Sequence, residues 1–374
     1  QTGFDVVPHL LLPAPPAPTK PPIPEAAAEA PTSGLAPEQR RVIFVLIAGV
    51  FLPLLDATVV NIAIQEMAHA LGASLALIQW VVTAYTLSAA AVVPISAWAA
   101  NRFGAKRVWI AGLVIFLLGS ILASIAGGAV ALVVFRIIQG IGAGLMMPVM
   151  QTVLIQSVGQ HNAKAAMASM AIPSVLAPIF GPVAGGLVLH YADWRYIFLF
   201  NVPLCLVAIY LALQYLAPDE NLSTPPFDVL GFLLLCPGIV LTVYGLSAWA
   251  HYHARVMLFA GVALNMAFMA HARRGCSRAL IDITLFSLPS FRSSSWLLMG
   301  SSMAFYGGLL ILPLYFFQQC QLDVIQASVL LAFQGMGAML SRRCLEVLSR
   351  RWGVSQLAVV SAVLTLCGSA ALLF

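Results

Sequence analysis

Two charged side chains stand inside segments that are otherwise long and apolar. Asp56 lies in the stretch LLDATVVNIAI, and Arg136 lies in the stretch RIIQGIGAGLMMP. A charge within a membrane span is costly, so it is expected to face the protein interior, to find a partner and to serve function. A movement that separates this acid from this guanidinium would favour proton uptake. We therefore interpret Asp56 and Arg136 as a proton-coupling pair; a structural ion pair, or an acid capped by Thr58 and Asn61, is the alternative.

The elements that must position this pair are membrane helices. Of the 374 residues, 61% are hydrophobic and 8% are charged, whereas soluble domains carry about 25% charged residues. The apolar runs last about 20 residues and lack the alternation of barrel strands. The composition predicts an all-α polytopic membrane protein with about eleven transmembrane helices. The predicted spans are 42–64, 79–100, 107–127, 130–153, 165–189, 195–216, 229–249, 255–272, 291–317, 325–341 and 354–374.

Basic residues concentrate in alternate loops between these spans. Such clusters mark the cytoplasmic side of a membrane protein, which predicts a cytoplasmic N-terminus and a basic cytoplasmic turn at 102–107 in the cell inner membrane. The net charge of +5 belongs to these short loops, so we expect a lipid bilayer and no nucleic acid as partner. Residues 1–40, rich in proline and alanine, are predicted to form a disordered cytoplasmic tail.

Short motifs with glycine and basic residues recur at the ends and in the interior of the predicted spans. A tight basic turn follows the span 79–100, and glycines follow Arg136 and Gln139 in the span 130–153. In the span 165–189 the density of glycine and proline suits close packing and flexing equally well. The gating and motif residues are Asn101, Arg102, Gly104, Lys106, Arg107, Gly140, Gly181, Pro182, Gly185 and Gly186.

In this order, these motifs resemble the major facilitator superfamily, and more closely its fourteen-helix drug:proton antiporter branch. The chain matches the LDxTxVNxA pattern of the first helix, the RxxQG motif of the fourth and the GPxxGG motif of the fifth. The turn after the second helix departs from the family, because Ala97 and Asn101 stand where members have a glycine and an acid. The missing acid weakens any charge-relay role for this turn.

The resemblance implies a major facilitator fold. Its divisions here are a six-helix N-terminal lobe at 41–217, a loop and two linking helices at 218–273, and a partial C-terminal lobe at 274–374. The segment VLSRRWG echoes AANRFG, as an internal repeat would. A complete member has three more helices in the second lobe. We therefore expect that this stretch alone does not transport.

The resemblance also implies a function. A member of this branch exports small amphipathic or drug-like compounds by alternating access, uses the proton gradient as its energy source and needs no bound cofactor or metal. The chain lacks the GxSxG and HExxH motifs, so we do not expect an enzyme. Besides the substrate and protons, a periplasmic adaptor protein is a candidate partner. Export of a metabolite and a non-transporting remnant remain alternatives. The predicted substrate-cavity residues are Thr58, Asn61, Tyr85, Gln139, Met146 and Tyr306.

Overall fold

The computed structural model describes residues 36–219, 226–249, 251–274, 280–281 and 283–318, then Cys320, a helix near the end of the chain and a few isolated positions. The predicted tail at 1–40 lies almost wholly outside these residues, as does most of the predicted span 325–341. The side chain of Tyr306 also lies outside them.

Helices make up all the regular structure of the described residues. They are α1 (Pro37–Ile62), α2 (Ile64–Ala70), α3 (Leu75–Phe103), α4 (Ala105–Ser124), α5 (Ala129–Tyr191), α6 (Arg195–Tyr215), α7 (Val229–Ser247), α8 (Tyr252–Arg273), a 3-10 turn (Ile283–Ser287), α9 (Pro289–Gln318) and α10 (Val354–Ala371).

Seven helical segments among the described residues are long and apolar enough to cross a membrane. They are α1, α3, α4, the first half of α5 (Ala129–Gly159), α6, α7 and α8. The predicted spans at 165–189, 291–317 and 354–374 coincide with helical backbone in the second half of α5, in α9 and in α10. The all-α membrane fold expected from the composition is therefore confirmed.

One predicted loop is wrong. The sequence predicted that residues 154–164 connect two spans, but α5 continues from Ala129 to Tyr191. The change of direction takes place at Gly159 alone, whose φ is 74° and ψ is 161°. Glycine adopts a positive φ at little cost because it has no Cβ. A single residue therefore replaces the expected loop, and the two spans follow one another directly.

Helix α5, which contains two of the first six predicted spans, packs against the helices that contain the others. Helix α5 packs against α1, α3 and α4, while α6 packs against α1 and α4. The hairpin of α7 and α8 rests on α3, where Trp80 stacks on Tyr244 with ring centroids 5.4 Å apart. The ring of Trp98 lies 4.6 Å from that of Phe227 in the same interface.

Glycines bring α5 close to α3. A Cβ on Gly140 would overlap the hydroxyl of Ser88 and the carbonyl of Tyr85, and one on Gly144 would overlap the carbonyl of Ala89. Small residues in membrane helices allow such close approach of two backbones. The packing role predicted for the glycines after Arg136 is thus confirmed, and it sets α5 at the distance from α3 that the polar site requires.

Candidate functional site

Asp56 lies in the middle of α1 and is almost fully buried, with 1% of its surface exposed. Three residues before it, Pro53 interrupts the backbone hydrogen bonds of the helix because proline has no N–H. The carbonyl of Pro53 accepts a 3.2 Å hydrogen bond from the hydroxyl of Tyr85 on α3. Helix α1 is thereby held to α3 close to the buried acid.

Three side chains donate hydrogen bonds to the Asp56 carboxylate. Arg136 Nη1 donates to Oδ2, and the two groups form a fully buried ion pair. Gln139 Nε2 donates to Oδ1 at 3.0 Å, and Asn201 Nδ2 donates to the same oxygen at 2.8 Å. Gln139 Nε2 also donates to the hydroxyl of Ser120 at 2.7 Å. The carboxylate thus has donors on α5 and α6, and the network continues to α4.

The guanidinium of Arg136 is oriented by groups on α3 and α5. Its Nε donates to the carbonyl of Val81 at 3.1 Å, and Nη1 also donates to Gln139 Oε1 at 2.7 Å. The ring of Tyr85 lies 4.0 Å from the guanidinium carbon, which is a cation–π distance. Within the described part of the chain, Nη2 has no hydrogen-bond partner. Arg136 is therefore fixed in position and retains one unused donor.

The arrangement can bind and release a proton only by changing its charge balance. With Asp56 ionised and Arg136 protonated, the buried pair has no net charge. Removing one partner of such a pair leaves an uncompensated buried charge, which costs about 3 to 5 kcal/mol. Loss of charge on one partner would therefore favour an arrangement in which the other side chain finds a different partner.

Thr58 and Asn61 do not cap the acid, contrary to one sequence-based alternative. Thr58 Oγ1 donates to the carbonyl of Leu55 at 2.8 Å, and Asn61 Nδ2 donates to the carbonyl of Ala57 at 3.1 Å. Both side chains thus bond to backbone carbonyls of their own helix, and Thr58 Oγ1 also lies 3.4 Å from the carbonyl of Ala177 on α5. The ion-pair interpretation is the one that agrees with the geometry around Asp56.

The predicted cavity residues differ in their exposure. Tyr85, Gln139 and Met146 are buried in contacts with other helices, whereas Asn61 is exposed and Thr58 is partly exposed. A cavity of about 220 Å³ lies on another side of Asp56, between α1, α5 and α6. Apart from the acid itself, its lining residues are Leu55, Val59, Ala184, Leu187, Val188, Ile197, Phe200 and Asn201. This cavity is apolar except at the end formed by Asp56 and Asn201.

The glycine motif of α5 forms the wall opposite α1. A Cβ on Gly181 would overlap Thr58 Oγ1, and a Cβ on Gly185 would lie 3.1 Å from Val59 Cγ1. A Cβ on Gly186 would meet no atom within 4 Å. The backbone of Pro182 is helical, and its side chain lies outside the described set. Gly181 and Gly185 therefore serve close packing against the helix that carries Asp56.

The predicted basic turn joins α3 to α4. Gly104 caps α3 with a φ of 98°, and Lys106 and Arg107 open α4. Asn101 and Arg102 lie exposed on the last turn of α3. The turn is far along α3 and α4 from Asp56 and contacts the chain beyond α6. The predicted gating residues of this turn and the buried pair of Asp56 and Arg136 therefore lie in separate parts of the structure.

Sequence reasoning missed Asn201 and Ser120 as members of the buried network. Asn201 was visible as an amide within the apolar stretch FLFNVP, two residues before Pro203. A buried polar side chain needs a hydrogen-bond partner, so this position could have been added by the argument used for Asp56. Ser120 gives no comparable signal, because a serine in a membrane helix can bond its own backbone.

The described residues hold no group of three His, Cys, Asp or Glu side chains suited to a metal ion.

Comparisons with known proteins found a matching family and several relatives. A family model described as the Major Facilitator Superfamily matches residues 45–374. The Multidrug resistance protein B homolog of Mycobacterium tuberculosis (strain CDC 1551 / Oshkosh) is 33% identical over 319 residues, which cover 84% of this chain and 59% of that protein. The putative multidrug resistance protein MdtD of Salmonella typhi is 34% identical over 257 residues, which cover 67% of this chain and 54% of that protein. The chain thus spans between half and two thirds of the length of these relatives.

Solved structures show the same fold at low sequence identity. A crystal structure of the peptide transporter POT in complex with sulfate has a TM-score of 0.58 and 17% identity, covering 83% of this chain and 70% of that one. The xylose transporter XylE from E. coli, in a partially occluded inward open conformation, has a TM-score of 0.52 and 12% identity, covering 82% of this chain and 73% of that one. Both structures support the fold, and the expectation that the chain is not an enzyme agrees with the family match and the named relatives.

Proposed function

The chain belongs to the major facilitator superfamily, and from this premise we propose that it serves the proton-coupled export of small amphipathic, drug-like compounds by alternating access. The observation that carries the proposal is the buried ion pair of Asp56 and Arg136. Because both side chains have no exposed surface, a proton can reach the acid only when the helices around it move. Protonation and conformation are thereby linked.

The coupling follows from the charge balance of the pair. When Asp56 is ionised, Arg136 and the two amides stabilise its charge and hold α1, α5 and α6 together. When Asp56 takes up a proton, the guanidinium loses its countercharge and the closed arrangement loses stability. A proton gradient that loads the acid on one side and unloads it on the other would thus drive the cycle.

The apolar cavity beside the acid supports the substrate class. Its walls are aliphatic and aromatic, and its polar end holds one carboxylate and one amide. Sites of this kind bind molecules with a large apolar body and fix their orientation by a few polar groups. Two relatives at 33% and 34% identity are named multidrug resistance proteins. We therefore place lipophilic cations first among the substrates.

The cellular setting belongs to the same proposal. The chain is a multi-pass membrane protein, and its basic loops support an inner-membrane location with a cytoplasmic N-terminus. The proton gradient supplies the energy, and no bound cofactor takes part. A periplasmic adaptor protein is proposed as a partner from the family resemblance alone.

A transport assay tests this function. The full-length protein is reconstituted into liposomes, and export of tetraphenylphosphonium is measured while a pH gradient is imposed. We expect tetraphenylphosphonium to cross the membrane when the pH gradient is imposed, with protons moving in the opposite direction. Both movements should stop when a protonophore collapses the gradient. Transport that continues unchanged without the gradient would overturn proton coupling. An absence of tetraphenylphosphonium binding would overturn the substrate class.

A further inference from the structure

An acid from beyond the end of α6 caps the beginning of α4. Asp219 follows α6 by four residues, and its Oδ1 accepts a 2.8 Å hydrogen bond from the backbone N–H of Lys106. Its Oδ2 accepts a 3.1 Å hydrogen bond from the backbone N–H of Arg107. The first N–H groups of a helix have no partner within the helix, and an oxygen supplied as a cap satisfies them. Gly104, which precedes α4, has no side chain that could do so.

The end of α6 receives a cap in return. Lys106 Nζ donates to the carbonyl of Leu216 at 2.6 Å and to the carbonyl of Leu213 at 3.1 Å. Carbonyls in the last turn of a helix lack partners, and a positive charge there also interacts favourably with the helix dipole. The cap on α4 thus comes from the segment after α6, and the cap on α6 comes from α4.

Gly104 makes room for this arrangement. Its φ is 98°, a conformation that residues with a side chain rarely adopt, and an added Cβ would overlap the carboxyl group of Asp219. The glycine of the basic turn therefore serves both the sharp turn and the approach of the acid. The backbone conformation of Gly104 and the lack of space for a side chain there both agree with the position of Asp219.

The ion pair of this group contributes less than the caps. Arg107 Nε lies 3.9 Å from Asp219 Oδ2, but the arginine side chain is 76% exposed. Exposed ion pairs are weak because water and salt screen them. The Asp219 side chain is only 11% exposed, so its hydrogen bonds to the backbone are protected from solvent. The capping bonds are therefore the main reason for the acid to occupy this position.

We propose that Asp219 joins the ends of α4 and α6 through an α4–α6 clasp formed with Gly104 and Lys106. Asp219 is then a positioning residue of the basic turn. Its effect on transport rests on the function proposed above, whereas the clasp itself does not.

Alternating access requires the helices of one lobe to move together. Asp219 lies where α6 leads towards the α7–α8 hairpin. Without the clasp, the end of α6 could shift relative to α4, and movement of one helix would no longer be passed fully to the other. We therefore expect loss of Asp219 to lower the rate of transport while leaving substrate binding beside Asp56 intact.

A distance measurement tests the clasp directly. Spin labels are attached at Ala111 on α4 and Gln214 on α6, both exposed, and the distribution of distances is measured in lipid nanodiscs. Asp219→Ala should broaden the distribution and raise the fraction of separated helix ends by roughly fivefold, since loss of a capping side chain typically changes such an equilibrium by a factor of about five. Lys106→Met should give a smaller change of the same kind.

Two further variants separate the clasp from general damage. Gly104→Ala should broaden the distance distribution as Asp219→Ala does. The double variant Gly104→Ala/Asp219→Ala should have no broader a distribution than either single variant, because each of the three variants removes the same interaction between Asp219 and the start of α4. Asp193→Ala is the matched control. Asp193 also caps a helix N-terminus, since its Oδ1 accepts a 2.9 Å hydrogen bond from the backbone N–H of Arg195, but this cap is local to α6. It should leave the α4–α6 distance unchanged.

Transport and binding complete the test. Asp219→Ala should reduce gradient-driven export of tetraphenylphosphonium several-fold with an unchanged Kd, and Asp219→Glu should restore part of the rate. An unchanged distance distribution in Asp219→Ala, or an equal change in Asp193→Ala, would overturn the clasp. Normal transport in a variant whose distribution has broadened would overturn the positioning role alone. If the unaltered protein does not transport, the proposed function fails, and the distance measurement still decides the clasp.

Discussion

The side-chain amide of Asn201 on α6 donates a 2.8 Å hydrogen bond to Oδ1 of Asp56 on α1. The same oxygen accepts from Gln139 on α5, while Oδ2 is held by Arg136. One carboxylate therefore joins three helices. A rotation or shift of any of them breaks a hydrogen bond to a buried charge, which is costly in a region without water. Movement of these helices therefore changes the contacts of this buried charge, and the proposed proton coupling rests on that relationship.

The first prediction concerns the acid itself. Asp56→Asn should preserve the fold but abolish proton-coupled export, because the nearly isosteric amide can still hydrogen-bond but cannot release a proton. Asp56→Glu should retain partial activity with a shifted pH optimum, since the charge remains and its reach changes. The measurement is export against an imposed pH gradient at matched expression. Export by the Asp193→Asn variant, which alters an exposed acid in the turn before α6, should be unaffected. Coupling like that of the unaltered protein in Asp56→Asn would show that this acid only supports the structure.

The second prediction concerns the ion pair. Arg136→Gln should lower the free energy of unfolding by about 3 to 5 kcal/mol, because it leaves the Asp56 charge buried without its countercharge. The double variant with Asp56→Asn should be less destabilised than the sum of the two single variants, since the second change removes the unpaired charge. Thermal or denaturant unfolding in detergent measures both effects. Strictly additive losses would contradict a direct coupling between the two side chains.

The third prediction concerns the amide on α6. Asn201→Ala should cost about 1 to 3 kcal/mol, because it removes a donor from a buried carboxylate, and it should impair proton-coupled export. Asn265→Ala is the matched control: this amide on α8 donates to Thr242 Oγ1 at 3.1 Å and to the carbonyl of Gly261 at 2.9 Å, away from Asp56. It should cost stability and leave proton coupling intact. Equal effects of both variants on coupling would argue against a special role for Asn201.

The fourth prediction compares two glycines of one motif. Gly181→Ala should destabilise the protein by about 1 to 3 kcal/mol, because its methyl group overlaps Thr58 Oγ1 and forces α5 away from α1. Gly186→Ala should be neutral or stabilising by up to about 1 kcal/mol, since alanine favours helix and the space around this position is open. Unfolding temperatures of the two purified variants decide the comparison. The packing interpretation fails if the two substitutions have the same effect.

The fifth prediction concerns orientation in the membrane. A single cysteine at Arg102 should resist a membrane-impermeant maleimide in intact cells and react after the cells are opened, because the basic turn is predicted to be cytoplasmic. A cysteine at Asp193, in the turn before α6, should react in intact cells. The native cysteines are replaced beforehand so that only the introduced thiol is labelled. Labelling of position 102 from outside would reverse the proposed topology.

Several features could be predicted from the sequence because they depend on local composition. A span of apolar residues enters the membrane whatever its neighbours are, and lysine and arginine stay on the cytoplasmic side for reasons that act on each loop separately. A charge inside such a span needs a partner, so Asp56 and Arg136 could be paired before the structure was known. The small residues after Arg136 indicated close packing for an equally local reason, the absence of a bulky side chain.

The tertiary structure decided what depends on the rotation and spacing of helices that are distant in the chain. Asn201 and Asp56 are separated by 145 residues, and Lys106 and Asp219 by 113. Whether such side chains meet depends on which face each helix turns towards its neighbours. A membrane helix is hydrophobic on all sides, so its sequence does not show which face packs against another helix. The apolar cavity next to Asp56, the third donor to its carboxylate and the acid that caps α4 all arise from this packing. Position 219 could not be linked to the basic turn by sequence, since only the fold brings the end of α6 to the start of α4.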